Sequence, residues 1–205
     1  MHPKVLGADG WETVRKLVRA GRAEGWILAG GTGLAVQLGH RISKDLDFFR
    51  ADSFSPAELA ARLAELGRVA VQSRASGTLH ATLDGLRVSF LQAEAPLLFD
   101  GTPYRGLRLA DPRDIAVMKV IAIGGRGSRK DFVDLFFYLR GGGPLEGIFE
   151  LIRRRFTGVD HNEYHLLRAL VFFQDAETEP MPRMIRRVAW SEIKRSIVEE
   201  VKRLS

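Results

Sequence analysis

The chain has 205 residues, of which 45% are hydrophobic and 27% are charged, and this composition excludes a disordered protein and suffices for one large domain. A formal net charge of +6 and a sequence pI of about 10.0 favour an anionic partner. The absence of cysteine excludes disulfides, thiolate metal ligands and cysteine nucleophiles.

The N-terminal segment predicts an amphipathic helix and no targeting signal. Residues 1–7 lack the apolar core of a signal peptide, and no apolar run approaches the ~20 residues that a membrane-spanning helix needs. We therefore expect a cytoplasmic protein that does not contact a membrane. Over residues 10–23, apolar positions recur at helical spacing with basic residues between them, which predicts the first helix.

Residues 26–38 predict a strand, a glycine turn and a helix. The apolar run 26–29 is followed by Gly30, Gly31 and Thr32, and helical character follows over residues 34–38. Glycine permits a sharp turn and a close approach to a ligand, and a helix N-terminus presents free N–H groups to an anion. The turn is therefore a candidate phosphate site, although many such turns have only a structural role.

Two acids, Asp45 and Asp47, lie two residues apart in a segment that is predicted to be extended. Residues i and i+2 of a strand project from the same face, so both carboxylates point the same way. Neighbouring carboxylates repel each other unless a proton or cation lies between them, which makes the pair a candidate Mg²⁺ site. Such pairs also occur by chance, but the glycine turn together with Arg41, Ser43 and Lys44 is far more specific.

The next segments predict a helix and a hairpin, and therefore a mixed sheet. Ser55, followed by proline, predicts a helix start, and residues 69–73 look extended. The alternating apolar residues of 79–91 flank Asp84 and Gly85, a dipeptide typical of a tight hairpin turn.

Residues 111–127 predict a helix that begins after Asp111 and breaks at the glycine-rich residues 124–127. Lys119 falls on the apolar stripe of this helix. The ordinary interpretation of such a lysine is a packed stem whose amine reaches water.

A second helix is predicted over residues 129–140, with Ser128 as its cap. Asp131 and Asp134 share one face of it, and phenylalanines occupy the other. On this pattern alone the two acids are either solvated side chains or part of a site.

The glycine-rich residues 141–144 form the clearest linker, and three further helices are predicted, at residues 145–156, 164–173 and 191–204. The arginine run 153–155 is either an RNA contact or a solvated helix end. The chain is thus predicted to divide into a core over residues 1–140 and a helical extension over residues 145–205 that packs on it.

The segment with the glycine turn and the two acids resembles the first motif of the AbiEii-type nucleotidyltransferase toxins, a branch of the polymerase-β-like nucleotidyltransferase superfamily. The matching residues are Gly30, Gly31, Thr32, Leu38, Gly39, His40, Arg41, Ser43, Asp45, Leu46, Asp47, Phe48 and Phe49. A later motif of that family also has a counterpart here, in Lys119, Arg126, Gly127 and the KDFVDL stretch of residues 130–135. The likeness continues into the C-terminal segment and spans nearly the whole chain.

This resemblance implies an α+β fold of the polymerase-β-like nucleotidyltransferase type, with a mixed β-sheet flanked by helices and an α-helical C-terminal part. It implies Mg²⁺ as cofactor, bound by Asp45 and Asp47. The implied nucleotide-binding residues are Gly30, Gly31, Thr32, Arg41, Ser43 and Lys119. The implied catalytic residues are Asp45, Asp47, Lys119, Asp131 and Asp134.

The sequence departs from the superfamily at one position. Many polymerase-β-like enzymes supply a third metal-binding carboxylate from the strand that is predicted here over residues 87–91, but this strand carries Ser89 and no acid. Either one metal ion is enough, or a carboxylate from later in the chain, such as Asp131 or Asp134, completes the site.

The resemblance implies the toxin of a type IV toxin–antitoxin pair, which transfers NMP from an NTP to an acceptor hydroxyl. The expected partners are the NTP, an RNA acceptor such as the 3′ end of tRNA, and a cognate antitoxin. Two alternatives stay open: nucleotidylation of a protein or small molecule, and a catalytically degenerate nucleotide- or RNA-binding module. A generic RNA-binding protein is disfavoured because no aromatic RNA-binding signature is evident in the sequence.

Overall fold

A mixed β-sheet organises the part of the chain that the computed structural model describes, residues 1–158 and 161–204. Over these residues the strands are β1 (Ile27–Leu28), β2 (Asp45–Arg50), β3 (Val69–Ala75), β4 (Thr78–Leu83), β5 (Leu86–Gln92), β6 (Thr102–Tyr104) and β7 (Leu107–Leu109). Their order in the sheet is β3-β4-β5-β2-β1-β7-β6. The β2–β5 and β1–β7 pairs are parallel and the remaining neighbours are antiparallel, as the prediction of a mixed sheet requires.

Helices cover the sheet and form the C-terminal part. In the described residues they are α1 (Ala8–Arg19), α2 (Gly30–Leu38), α3 (Pro56–Ala64), α4 (Pro112–Arg126), α5 (Arg129–Arg140), α6 (Leu145–Arg155), α7 (Glu163–Leu170), α8 (Gln174–Glu177) and α9 (Trp190–Leu204). A 3₁₀ turn over Pro3–Val5 precedes α1. None of these helices is both long enough and apolar enough to cross a bilayer.

The turn and cap residues produce the local structure that they predict. The Ser55 hydroxyl accepts a hydrogen bond from the Glu58 N–H at 3.3 Å, which caps α3. Asp84 and Gly85 have φ of 52° and 87°, the left-handed pair that a tight hairpin requires. The Asp84 carboxylate accepts a hydrogen bond from the Arg68 N–H at 2.9 Å, which stabilises this conformation.

Several predicted boundaries differ from the structure: α1 ends at Arg19 rather than at residue 23, and α7 ends at Leu170 rather than at residue 173. Helix α2 begins at Gly30, so the predicted glycine turn is the first turn of the helix itself. Helix α4 continues through Gly124 and Gly125 and ends at Gly127, whose φ of 54° is left-handed. The glycine inside the helix has a packing role, because a Cβ on Gly124 would lie 2.6 Å from Leu166 Cδ2 and this side chain would have to move. The short β6–β7 hairpin was not predicted.

Two large hydrophobic clusters hold the fold together. One lies between the sheet and helices α1 and α3, with Phe48 and Phe90 fully buried in it. The other joins α4 and α5 to the C-terminal helices, through residues such as Phe132, Ile193 and Ile197. Helices α4 and α5 share an apolar cluster with the C-terminal helices, so packing does not separate the two parts at residue 140. The division into a core domain over residues 1–140 and a helical extension over residues 145–205 stays a prediction.

Helix α2 approaches β1 closely, and this contact depends on Gly33. A Cβ at this position would lie 2.8 Å from the Leu28 carbonyl oxygen, a backbone atom that cannot rotate away. We therefore expect Gly33→Ala to lower the free energy of unfolding by about 1–3 kcal/mol, which urea unfolding would measure.

Gly125→Ala in α4 is the matched control, because no atom lies within 4 Å of its added Cβ. It should leave stability unchanged or raise it by up to about 1 kcal/mol, since alanine is the better helix former. Equal effects of the two substitutions would contradict the close approach at Gly33.

Candidate active site

A cavity of about 250 Å³ opens on the face of the sheet opposite to α1 and α3. Alternation along β2 buries Leu46 and Phe48 and leaves Asp45 and Asp47 on the cavity side, as the sequence predicts. The candidate site residues that line this cavity are Gly30, Gly31, Arg41, Ser43, Asp45, Asp47, Lys119 and Asp131.

The start of α2 forms one wall of the cavity and lies directly against Asp47. Gly30 has φ of 56°, and a Cβ there would lie 2.7 Å from Asp47 Oδ2, so only glycine leaves room for this carboxylate. The N-cap residue is Ala29, which makes no side-chain cap. The first N–H groups of α2 therefore have no side-chain acceptor at the N-cap and suit an anionic ligand in the cavity.

Asp45 is held by an arginine of the neighbouring strand. β2 and β5 pair in parallel with Asp45 opposite Arg87, and Arg87 Nε donates to Asp45 Oδ1 at 2.7 Å. The arginine side chain is 64% exposed, so this ion pair is open to water and weak.

Thr32 and Ser43 fix the entry of the chain into β2. The buried Thr32 hydroxyl donates to the Asp45 carbonyl oxygen and lies 2.7 Å from the Ser43 hydroxyl. Since a hydroxyl has a single proton, Thr32 accepts from Ser43 when it donates to the carbonyl. Thr32 is not among the residues that line the cavity, so its side chain orients the strand that carries Asp45.

Behind the cavity wall lies a buried charge cluster centred on Asp134. Arg41 donates to both carboxylate oxygens of Asp134, from Nε at 2.6 Å and from a terminal nitrogen at 2.8 Å. His40 Nε2 lies 2.7 Å from Asp134 Oδ1, and Lys119 Nζ lies 2.8 Å from Asp134 Oδ2. All four residues are buried, and Asp134 is fully enclosed.

Asp131 completes this cluster on the cavity side. Lys119 Nζ donates to Asp131 Oδ1 at 2.6 Å, and the Ser128 hydroxyl donates to Asp131 Oδ2 at 2.6 Å. The prediction that the Lys119 amine reaches bulk water is wrong, because the residue is only 6% exposed. Asp131 and Asp134 are likewise fully buried rather than solvated, since α5 packs between α4 and the C-terminal helices.

The cluster keeps Asp134 and Lys119 charged despite burial and leaves His40 neutral. Burial alone raises the pKa of Asp134, but Lys119, Arg41 and the His40 hydrogen bond outweigh it and hold that pKa well below the usual range. Burial lowers the pKa of Lys119, yet the two carboxylates leave it raised overall. Burial also dominates at His40 and lowers its pKa, so the imidazole is neutral and donates from Nε2.

The second glycine of α2 makes room for the cluster. The Arg41 guanidinium occupies the space where a Cβ on Gly31 would lie, and Asp134 Oδ2 is 3.2 Å from the same position. The glycine pair therefore serves two different contacts, Gly30 with Asp47 and Gly31 with Arg41.

Several cavity residues were not predicted, namely Phe49, His80, Leu91, Met118, Ala122, Arg126 and Lys130. His80 Nδ1 lies 3.0 Å from the Ser89 hydroxyl, and Ser89 in turn pairs with Asp47 across β5 and β2. A histidine–serine pair thus lies beside Asp47 across the sheet, where many polymerase-β-like enzymes have the third carboxylate. Counting residue pairs outward from the Asp84-Gly85 turn would have placed His80 opposite Ser89.

The arginine run of α6 does not line this cavity. Arg155 is buried, and it donates to the Ala95 carbonyl oxygen at 3.2 Å. Arg153 forms an exposed ion pair with Glu163 at 2.7 Å. At least these two arginines therefore have structural partners.

The residues around Asp45 and Asp47 fit a hard cation such as Mg²⁺. In the described ranges, no three acidic or histidine side chains are grouped closely enough to enclose a metal ion. Mg²⁺ in phosphate-transferring sites is held by one or two protein carboxylates, with water and substrate phosphates as the other ligands. Two carboxylates on one strand face of an open cavity match that pattern.

Loss of the Asp134 charge should destabilise the fold. Asp134→Asn would leave Arg41 and Lys119 with one buried carboxylate between them, so we expect the free energy of unfolding to fall by about 3–5 kcal/mol. Urea unfolding would measure it. Asp52→Asn, at a side chain that is 85% exposed, is the matched control and should change little. Equal stability of both variants would contradict the cluster's structural importance.

The stability should also decline in acid. The folded-state pKa lies below the unfolded value of 6.5 for His40 and of 3.8 for Asp134. The stabilisation from each group is complete above its unfolded pKa and is lost as pH falls through its folded pKa. Urea unfolding at a series of pH values should show a decline that starts below 6.5. The His40→Gln variant should lack the loss of stability that begins just below pH 6.5. If its stability has the same pH dependence as that of the unchanged protein, another group causes this loss.

Comparison with known proteins bears on the family. The chain matches the family described as "Nucleotidyl transferase AbiEii toxin, Type IV TA system" over residues 14–94 and 85–203. A protein of Aquifex aeolicus (strain VF5), described as the uncharacterized protein aq_aa25, is 36% identical over 176 residues. That match covers 82% of this chain and 83% of the relative.

Two solved structures share the fold at low identity. JHP933 from Helicobacter pylori is 14% identical with a TM-score of 0.58, over 100% of this chain and 93% of that one. MenT4, the nucleotidyltransferase toxin Rv2826c from Mycobacterium tuberculosis H37Rv, is 15% identical with a TM-score of 0.51, over 95% of this chain and 84% of that one. The predicted α+β nucleotidyltransferase fold is confirmed, and with the family match over most of its length the chain belongs to the AbiEii nucleotidyltransferase toxin family of type IV toxin–antitoxin systems.

Proposed function

We propose that this protein transfers NMP from an NTP to the 3′ end of an RNA acceptor such as tRNA, as the toxin partner of a cognate antitoxin in the cytoplasm. The observation that carries the proposal is the pair Asp45 and Asp47, which faces a cavity walled by the start of α2 and by Lys119. The family of the chain supports the reaction class. Its net charge of +6 favours a polyanionic acceptor.

The two carboxylates are the proposed metal ligands. Asp45 and Asp47 would hold Mg²⁺, which when bound neutralises triphosphate charge and lowers the pKa of an attacking hydroxyl. In the transfer, the acceptor oxygen bonds to the α-phosphorus. The bond from the α-phosphorus to the oxygen that bridges it to the β-phosphorus breaks, and that oxygen leaves as part of pyrophosphate. The hydroxyl proton passes to solvent.

The start of α2 and the buried cluster would bind the triphosphate. Gly30 and Gly31 open α2 and line the cavity, so their N–H groups and the helix dipole would favour an anion there. Lys119 gives two N–H groups to Asp131 and Asp134 and has three in total, so one is left for a phosphate oxygen. The carboxylates therefore position this lysine.

The cluster would supply position more than net charge. Its two cations, Arg41 and Lys119, are balanced by two carboxylates, Asp131 and Asp134. The other cations that line the cavity are Lys130 and Arg126, whose Nε lies 3.5 Å from Asp131 Oδ2, and Asp45 and Asp47 match them in number. Catalysis would then rest on orientation and on preorganised electrostatics, which is typical of phosphoryl transfer.

Asp47→Asn should abolish transfer and leave the fold intact, because the substitution removes a proposed metal ligand without changing side-chain volume. Purified protein would be incubated with Mg²⁺, each α-labelled NTP, total tRNA and cell extract, and the label followed on a denaturing gel. Asp52→Asn is the matched control and should keep full activity. Turnover retained by a folded Asp47→Asn variant would refute the assignment.

The same assay separates the alternatives. Label on protein or on a small molecule would keep the transferase and change its acceptor class. The lack of a β5 carboxylate at Ser89 favours an inactive binding module as second candidate. Such a module would bind NTP with little dependence on Mg²⁺ and would release no pyrophosphate with any acceptor.

Arg87 should compete with Mg²⁺ for Asp45. Because the exposed pair is worth about 0.2–1 kcal/mol, Arg87→Gln should lower the Mg²⁺ concentration for half-maximal activity by a factor of up to about 5. A Mg²⁺ titration of transfer activity would measure the shift. Arg62→Gln, in α3, is the control and should leave the midpoint unchanged, and a raised midpoint in Arg87→Gln would contradict the competition.

A further inference from the structure

A second and larger cavity, of about 640 Å³, lies between the C-terminal end of α4 and helix α7 with the loop that follows it. We call it the α4–α7 groove. Its volume falls within the range of about 300–1,000 Å³ that is typical of ligand sites. The residues on which the argument rests are Gly125, Arg126, Tyr164, His165, Arg168 and Phe172.

The groove exposes aromatic rings to solvent. Tyr164 is 70% exposed and Phe172 is 54% exposed, and both belong to the few large apolar side chains of the described residues that are solvent-accessible. A neighbouring valine, Val171, is also exposed. Exposed apolar side chains that are grouped in one place, rather than scattered singly, mark an interaction site.

The charge of the groove is predominantly positive. Arg126 and Arg168 line it together with one acid, Asp175. The Arg168 guanidinium lies 5.8 Å from the centroid of the Tyr164 ring, so cation and ring present one continuous surface. Flat rings interleaved with arginines suit a ligand that has both stacking faces and negative charges.

The groove adjoins the catalytic cavity at Arg126. Arg126 lines both, and its Nε lies 3.5 Å from Asp131 Oδ2, the carboxylate that holds Lys119. A polymer bound in the groove would therefore pass Arg126 at the edge of the cavity that holds Asp45 and Asp47.

The groove is also rigidly built. His165 Nε2 donates to the Gly124 carbonyl oxygen at 2.9 Å, which ties α7 to the end of α4. The absence of a Cβ at Gly124 lets Leu166 pack against the helix, because an added Cβ would lie 2.6 Å from Leu166 Cδ2. Gly125 is exposed, with no atom within 4 Å of an added Cβ, so the groove above it is open.

We propose that the α4–α7 groove binds the unpaired 3′ segment of the RNA acceptor, with bases stacked on Tyr164 and Phe172 and phosphates on Arg126 and Arg168. The inference rests on the proposed function, because it supplies the acceptor for that reaction. Proteins recognise unpaired RNA by stacking splayed bases on aromatic and arginine planes, beside a positive track for the backbone. An acidic peptide would match the arginines but would leave the two rings without a partner.

The first test measures binding alone, without NTP or Mg²⁺. A short 5′-fluorescein-labelled single-stranded RNA with a free 3′ hydroxyl is titrated with protein, and its fluorescence anisotropy is followed. Tyr164→Ala and Phe172→Ala should each weaken binding by about tenfold, since one stacked base is worth roughly that much. Val71→Ala, at a residue of β3 that is 48% exposed, should bind like the unchanged protein.

The second test fills the groove without removing any contact. Gly125→Leu places a side chain in open space on a helix, so the variant should fold with an unchanged or higher Tm. It should nevertheless lose RNA binding by at least the factor seen for Phe172→Ala. Binding of NTP with Mg²⁺ should be unchanged, because Gly125 does not line the catalytic cavity.

The outcomes separate this inference from the proposed function. RNA binding that is unaffected in Tyr164→Ala, Phe172→Ala and Gly125→Leu overturns the groove, even when tRNA is labelled and the function stands. If these variants raise the KM for NTP and leave the KM for RNA unchanged, the inference is also overturned, since the groove would then bind the nucleotide donor instead of the RNA acceptor. Lost RNA binding in all three variants supports the groove as the RNA site. This holds even when the unchanged protein transfers no label, a result that would refute only the proposed transfer reaction.

Discussion

The hydrogen-bonded contact of Asp134 with Arg41, His40 and Lys119 is the constraint around which the rest of the site is arranged. Arg41 comes from the segment before β2, Lys119 from α4 and Asp134 from α5, so one buried carboxylate joins three parts of the chain. A buried charge without its partners is strongly unfavourable, so each of these segments is held in place by the others. Asp131 extends the cluster, since its two carboxylate oxygens accept hydrogen bonds from Lys119 and from Ser128.

The sheet places chemistry on one face and stability on the other. Alternation in β2 sends Leu46 and Phe48 into the apolar cluster under α1 and α3, and the same alternation puts Asp45 and Asp47 in the cavity. The helices α4 and α5 that close the cavity are themselves packed on the C-terminal helices through a second cluster. The C-terminal helices thus contribute to the site indirectly, because they set the position of Lys119.

The arrangement suits a reaction in which position matters more than reactive side chains. The cavity offers two carboxylates, the start of a helix and a lysine whose amine is oriented by two acids, and a phosphoryl transfer needs little else from a protein. At the position of a third carboxylate, His80 and Ser89 form a hydrogen-bonded pair instead. The aromatic and arginine side chains of the α4–α7 groove lie next to this cavity, and Arg126 lines both.

The sequence by itself determined the local features: the facing carboxylates of β2, the Asp84-Gly85 hairpin, the caps of α3 and α4, and the α+β fold class through its family motifs. These depend on residues close together in the chain, whose periodicity and turn preferences act over a few positions. Only the tertiary structure decided that Lys119 is buried, because its partners lie on another helix and Arg41 is 93 residues from Asp134. It likewise decided why a glycine fits at position 124, because Leu166 of α7 packs where a Cβ would lie. Burial and charge pairing are properties of distant segments brought together, and no local pattern encodes them.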